Sequence, residues 1–153
     1  MRQEDMNNQI KELQYLWHEL IKIGQNNELN SSFPNFQELS TTEIGIIQIV
    51  SLNPEVILGE ICAALDLPKS TLTNTVNRLE KRGYLNRTIS KRDMRSYGLS
   101  LTEKGKLAQK EHLEYEALVF GGILHALNTE EERASLLLIL KKIVHKLQSS
   151  NQK

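Results

Sequence analysis

The sequence has 153 residues, of which 39% are hydrophobic and 25% are charged, the composition of one globular domain with its own core. Long stretches of good helix formers, with eight glycines and three prolines in the whole chain, predict a mostly helical fold. Cys62 is the only cysteine, which excludes an internal disulfide, and neither a secretion signal nor an apolar stretch of about 20 residues is visible, so we expect a soluble cytoplasmic protein.

The formal net charge is zero, but the charges are unevenly distributed along the chain. Residues 1–67 hold three basic and ten acidic residues, residues 68–95 hold eight and two, and residues 96–153 hold eight and seven, for net charges of −7, +6 and +1. A short basic stretch is what a surface that faces phosphates requires, although a solvated lysine-rich face would look the same. The interpretation therefore depends on the elements that carry the stretch.

The N-terminal third contains two predicted helices. Residues 4–26 form the first, with an apolar face made of Ile10, Leu13, Trp17 and Leu20. Residues 25–39 are polar and predict a loop. Ser40 and Glu43 form a capping-box pattern that opens a short apolar helix. The apolar residues of this helix are Ile44, Ile47, Ile49 and Val50.

A helix-turn-helix follows in the sequence. Residues 56–58 favour a short strand, and residues 59–66 favour a short helix. The next turn ends in Ser70, the expected N-cap of a second helix over residues 71–82, and Gly83 stops that helix. Its inward residues are Leu72, Val76 and Leu79. Two short helices joined by a tight turn are typical of this DNA-binding motif.

A β-hairpin is predicted directly after the second helix, in the position of a wing. Its strands are residues 84–89 and 96–101, and its charged tip contains Lys91, Arg92, Asp93 and Arg95. Thr102 then caps a long helix that ends near Leu127, and a capping box at Thr129 opens the last helix. The apolar stripe of the last helix is Leu136, Leu140, Ile143 and Leu147.

The basic stretch coincides with the second helix of the motif and with the hairpin tip. In a helix-turn-helix the second helix lies in the major groove, where Asn can bind adenine bidentately and Ser, Thr and Lys can hold phosphates. The DNA-facing residues predicted on it are Ser70, Thr71, Thr73, Asn74, Asn77, Arg78 and Lys81. At the tip, the cations Lys91, Arg92 and Arg95 suit the narrow minor groove. Asp93 would orient Arg95, although a salt bridge without DNA contact is the alternative.

The run from Leu58 to Gly105 resembles the MarR family of bacterial transcription regulators. The residues that carry the resemblance are Gly59-Glu60-Ile61-Cys62, Pro68-Lys69-Ser70-Thr71-Leu72-Thr73, Arg78-Leu79-Glu80-Lys81-Arg82-Gly83-Tyr84-Leu85, Asp93-Met94-Arg95-Ser96 and Leu99-Ser100-Leu101-Thr102-Glu103-Lys104-Gly105. The resemblance implies a homodimer of winged helices, joined through the N- and C-terminal helices, that binds pseudo-palindromic promoter DNA. It also implies a repressor whose affinity for DNA drops when a small molecule or an oxidant binds.

We therefore expect a mostly α-helical fold with a small β-hairpin wing. Residues 40–102 would form the winged helix-turn-helix DNA-binding domain, and residues 1–39 and 103–153 a helical dimerisation region. The apolar stripes of the first and last helices have no partner inside so small a core, which independently predicts association. The residues expected at the dimer interface are Ile10, Leu13, Trp17, Leu20, Leu136, Leu140, Ile143 and Leu147.

Two alternative functions stay open from the sequence: a winged helix that binds only proteins, and a metal- or redox-responsive variant of the regulator. A module that binds only proteins has no need of three cations at a hairpin tip. Cys62 has no cation nearby in sequence, so we expect an inert thiol. His112 and Glu116 are only half of a metal site, so we expect no metal. No catalytic motif is present, so we expect neither an enzyme nor a cofactor.

Overall fold

The computed structural model describes residues 3–24, 31–54, 56–90 and 97–150. The chain divides into two compact units, residues 1–115 and 116–153. None of the described helices is long and apolar enough to cross a membrane. The elements are α1 (Gln3–Gly24), α2 (Pro34–Gln37), α3 (Thr41–Leu52), α4 (Leu58–Leu65), α5 (Lys69–Lys81), β1 (Leu85–Ile89), β2 (Tyr97–Leu101), α6 (Glu103–His125) and α7 (Glu130–Ser150). Helices dominate and the strands form one hairpin, so the predicted fold class is confirmed.

The segment before α3 contributes to the core, so the prediction of a polar loop was wrong for its second half. Phe33, Phe36 and Leu39 are buried, and α2 begins with Pro34, whose fixed φ suits the first turn of a helix. The carboxylate of Glu111 on α6 accepts hydrogen bonds from the backbone nitrogens of Asn35 (2.7 Å) and Phe36 (3.3 Å). Apolar residues three apart in a polar segment were the overlooked signal.

Both predicted capping boxes are present. The Ser40 backbone nitrogen donates to the Glu43 carboxylate (2.9 Å), and Ser40 Oγ accepts from the Glu43 backbone nitrogen (3.3 Å). Thr129 and Glu132 repeat this arrangement at the start of α7, with both distances 3.2 Å. On α3, however, the buried residues are Glu43, Ile46, Ile47 and Val50, while Ile44 and Ile49 are only partly buried.

The helix-turn-helix is formed by α4 and α5, and its core is the predicted one. Leu72, Val76 and Leu79 have no exposed surface, and Gly83 ends the motif with a φ of +78°, which favours glycine. Ser70 is not the N-cap. Helix α5 begins at Lys69, because Pro68 has the extended backbone of an N-cap and its carbonyl accepts from the Leu72 nitrogen (3.0 Å).

The hairpin packs on the helix-turn-helix through its first residues. Strands β1 and β2 are antiparallel, with Leu85 opposite Leu101, and Tyr84, Leu85 and Leu99 are buried. The strand expected over residues 56–58 is reduced to one bridge between Ile57 and Gly98. The predicted tip, with Lys91, Arg92, Asp93 and Arg95, lies outside the described residues.

The start of α6 packs closely against the turn that ends the helix-turn-helix. Thr102 caps the helix, since its Oγ1 accepts from the Gly105 nitrogen (3.1 Å) and donates to the Gly83 carbonyl (2.6 Å). A methyl group at Gly105 would overlap the carbonyl oxygen of Tyr84, so only glycine allows this close approach. These contacts fix the start of α6 to the turn between α5 and β1.

Candidate nucleic-acid interface

Helix α5 presents one polar face to solvent. Its opposite face is buried, and that burial fixes the direction of every other side chain on the helix. The predicted DNA-facing residues that are exposed are Ser70, Thr71, Asn74, Asn77, Arg78 and Lys81. Thr73 is partly buried, and its hydroxyl donates to the Lys69 carbonyl (2.8 Å). The structure therefore places six of these seven side chains where a DNA groove could reach them.

The C-terminal end of α5 is anchored by a buried carboxylate. Glu43 is 4% exposed, and its Oε1 accepts from Arg82 Nη1 at 3.2 Å. The guanidinium of Arg82 also donates to the Glu38 carbonyl (3.1 Å) and lies 5.2 Å from the centre of the Tyr84 ring. A charge-assisted hydrogen bond of this kind holds its partners in a defined geometry. It ties the residue that ends α5 to the first turn of α3.

Arg78 shares the same carboxylate. Its Nη2 lies 3.7 Å from Glu43 Oε1, although 65% of the Arg78 side chain is exposed. The distance is too long for a strong hydrogen bond, so this pair fixes Arg78 only weakly. The prediction that Arg78 contacts DNA stays a prediction, and such a contact would exchange this ion pair for a phosphate.

Arg87 on β1 is a residue of this surface that sequence reasoning missed. Its Nη2 donates to Asn77 Oδ1 at 2.5 Å, and its Nε lies 3.4 Å from Glu80 Oε2. A strand side chain thus reaches two residues of α5, ten and seven positions earlier in the chain. Side chains alternate between the two faces of a strand, so Arg87 points away from the side of Asn86 and Thr88. This alternation could have predicted that Arg87 faces α5.

The predicted dimer residues are exposed within their own units. On α1, Ile10, Leu13, Trp17 and Leu20 are all exposed, Trp17 by 59%. On α7, no residue is buried; Leu140, Ile143 and Leu147 are exposed and Leu136 is partly buried. The same holds for Leu113 and Phe120 of α6, which are more than half exposed. Apolar stripes of this size are typical of association surfaces.

The described residues contain no cluster of three or more His, Cys, Asp or Glu side chains placed to bind a metal ion. His112 packs its ring against Phe36, with ring centres 5.6 Å apart, in the aromatic cluster beside α2. Cys62 is partly buried and packs against the core. Both residues therefore have a structural role in the fold.

Comparison with known proteins identifies relatives across nearly the whole chain. The model of the MarR family matches residues 37–96, which span the helix-turn-helix and the start of the hairpin. An uncharacterised HTH-type transcriptional regulator of Bacillus cereus is 27% identical over 136 residues, covering 86% of this chain and 87% of the relative. Both the family model and this relative therefore point to the same type of protein.

Two solved structures of proteins bound to DNA are also similar. The crystal structure of Streptococcus pneumoniae FabT in complex with DNA has a TM-score of 0.70 and 27% identity, and the match covers 90% of this chain and 98% of FabT. The transcriptional repressor CouR, bound to a 23-mer DNA duplex, has a TM-score of 0.58 and 26% identity over 73% of this chain and 83% of CouR.

Proposed function

Because the MarR family model and two proteins solved in complex with DNA match this chain, we propose that it is a MarR-family transcription regulator and acts as a homodimeric repressor on a pseudo-palindromic operator. The observation that carries this proposal is the exposed polar face of α5, which lies opposite a fully buried apolar face of the same helix. The second helix of such a motif enters the major groove with its early residues at base edges. Regulation would follow from DNA binding alone, without catalysis. The protein would act in the cytoplasm.

The dimer is supported by the exposed apolar stripes of α1 and α7. A chain that leaves Leu13, Trp17 and Leu147 each more than half exposed gains hydrophobic free energy when a second copy covers them. A two-fold dimer carries two α5 helices, and its operator should contain two inverted half-sites. Repression is the simplest outcome, because a dimer bound to a promoter blocks polymerase. A small molecule that favours another arrangement of the dimer would release the protein from DNA.

Substitutions on α5 should separate base reading from phosphate anchoring. Asn74→Ala should lower affinity for the cognate operator by about 1–3 kcal/mol and relax base preference at one half-site position, because Asn74 is exposed where base edges are reached. Lys81→Ala should weaken cognate and random DNA alike and lower the salt slope by roughly one, because a lysine near the helix end meets phosphate.

Both variants are measured by fluorescence anisotropy on an operator enriched from random duplexes and on a scrambled duplex of the same length. Ser150→Ala, at the end of α7, serves as the matched control and should change neither affinity. Equal losses for Asn74→Ala on cognate and scrambled DNA would show that α5 does not read bases.

A further inference from the structure

Two asparagines of the α5 face differ in their surroundings. Asn77 accepts a hydrogen bond from Arg87 at 2.5 Å, whereas Asn74 has no side-chain partner among the described residues. Arg87 itself is held in place, since only 23% of its side chain is exposed and Glu80 lies 3.4 Å from its Nε. The two amides are therefore presented differently to a groove.

The chemistry of arginine fixes the orientation of the Asn77 amide. A guanidinium has five N–H donors and no acceptor, so the amide atom beside it must be the oxygen. The Nδ2 group then points away from Arg87 with two N–H donors. A base donor that approached Oδ1 would have to share that oxygen with the Arg87 guanidinium. In this arrangement Asn77 presents its two Nδ2 donors to the groove, while its oxygen is engaged by Arg87.

Adenine and guanine require different partners from asparagine. Adenine shows the major groove one acceptor and one donor, so a bidentate contact uses both the oxygen and the nitrogen of the amide. Guanine shows two acceptors, N7 and O6, which a donor-only amide satisfies. Adenine therefore stays the predicted partner of Asn74, whereas the amide of Asn77 suits guanine.

We propose that Arg87 is a positioning residue that makes Asn77 a donor-only reader, so that Asn77 selects guanine rather than adenine in each half-site. This inference rests on the proposed function, since it needs α5 in a major groove. The carboxylate of Glu80 offsets the charge of Arg87, so Arg87 acts through Asn77 and not as a phosphate contact. The wing strand thereby takes part in sequence reading without touching a base.

The test compares the sequences that wild-type protein and Arg87→Met enrich from random duplexes. Methionine keeps an unbranched stem but cannot donate, which frees Asn77 Oδ1. Asn77→Ala identifies the half-site position that Asn77 reads, because the base preference there should flatten. At that position wild-type protein should prefer guanine, and Arg87→Met should shift the ratio of guanine to adenine affinity by about 5- to 150-fold. The position read by Asn74 should not change.

Thr88→Met, the next residue on the opposite face of β1, is the control and should enrich the wild-type sequence. Adenine at the Asn77 position with wild-type protein overturns the inference even if Arg87→Met does not fold. An unchanged guanine preference in a folded Arg87→Met, judged by its melting temperature, overturns it as well. Enrichment of no sequence by wild-type protein would instead reject the proposed function, and the inference with it.

Discussion

The affinity of the protein for its operator should fall by about 10³- to 10⁵-fold when the salt concentration rises from about 50 mM to 200 mM. A protein that neutralises about 6–10 phosphates releases a matching number of counterions, and added salt opposes that release. Residues 68–95 hold eight basic residues per chain, and six remain when Arg82 and Arg87, which are paired within the fold, are left out. A dimer therefore brings enough cations for this number of contacts. The steep dependence arises although the whole chain has a formal charge of zero.

The measurement is a titration of operator binding at five salt concentrations, plotted as the logarithm of affinity against the logarithm of salt concentration. Asn74→Ala is the matched control, because it removes a proposed base contact and no charge and should give a parallel line. A slope near zero for wild-type protein would contradict the placement of the basic stretch on phosphates.

Leu72→Ala should lower the free energy of unfolding by about 2–5 kcal/mol, because it removes a side chain with no exposed surface from beneath the α5 face. The cavity would lie under the residues proposed to contact DNA, between Lys69 and Lys81. Chemical denaturation followed by circular dichroism measures this loss. Operator affinity measured well below the melting temperature should fall as well, since a loosened helix no longer presents its polar face rigidly.

Leu52→Ala is the matched control for this cavity. Leu52 is the same residue type at the end of α3, but it is 72% exposed, so its truncation should cost less than about 0.5 kcal/mol. Equal losses for the two variants would mean that α5 is not supported by the core as described.

Local patterns predicted most of the fold. The two capping boxes, the apolar spacing of Leu72, Val76 and Leu79, and the glycine stop at Gly83 depend on neighbours within a few residues, and the structure has all of them. On α5 the single apolar face is the buried one, so the direction of its polar face follows from the sequence. This is why the helix-turn-helix and the hairpin could be predicted from the sequence.

Contacts between distant residues could not be predicted in the same way. Glu111 caps α2 across 76 positions of the chain, and Arg82 binds Glu43 across 39. The N-cap was predicted at Ser70 because proline and serine both occur near helix starts. The backbone conformation of Pro68 decides between them, and that conformation makes Pro68 the N-cap. The Arg87–Asn77 contact needs the packing of β1 on α5, which alternation suggests but does not determine.

We propose that a two-fold dimer reads DNA with one α5 helix from each subunit. Hydroxyl-radical footprinting on an operator enriched by the purified protein tests this arrangement. We expect two symmetric protected segments on one face of the duplex, with centres about one helical turn apart, roughly 10 base pairs. One asymmetric protected segment, or uniform weak protection without a sequence preference, would contradict it.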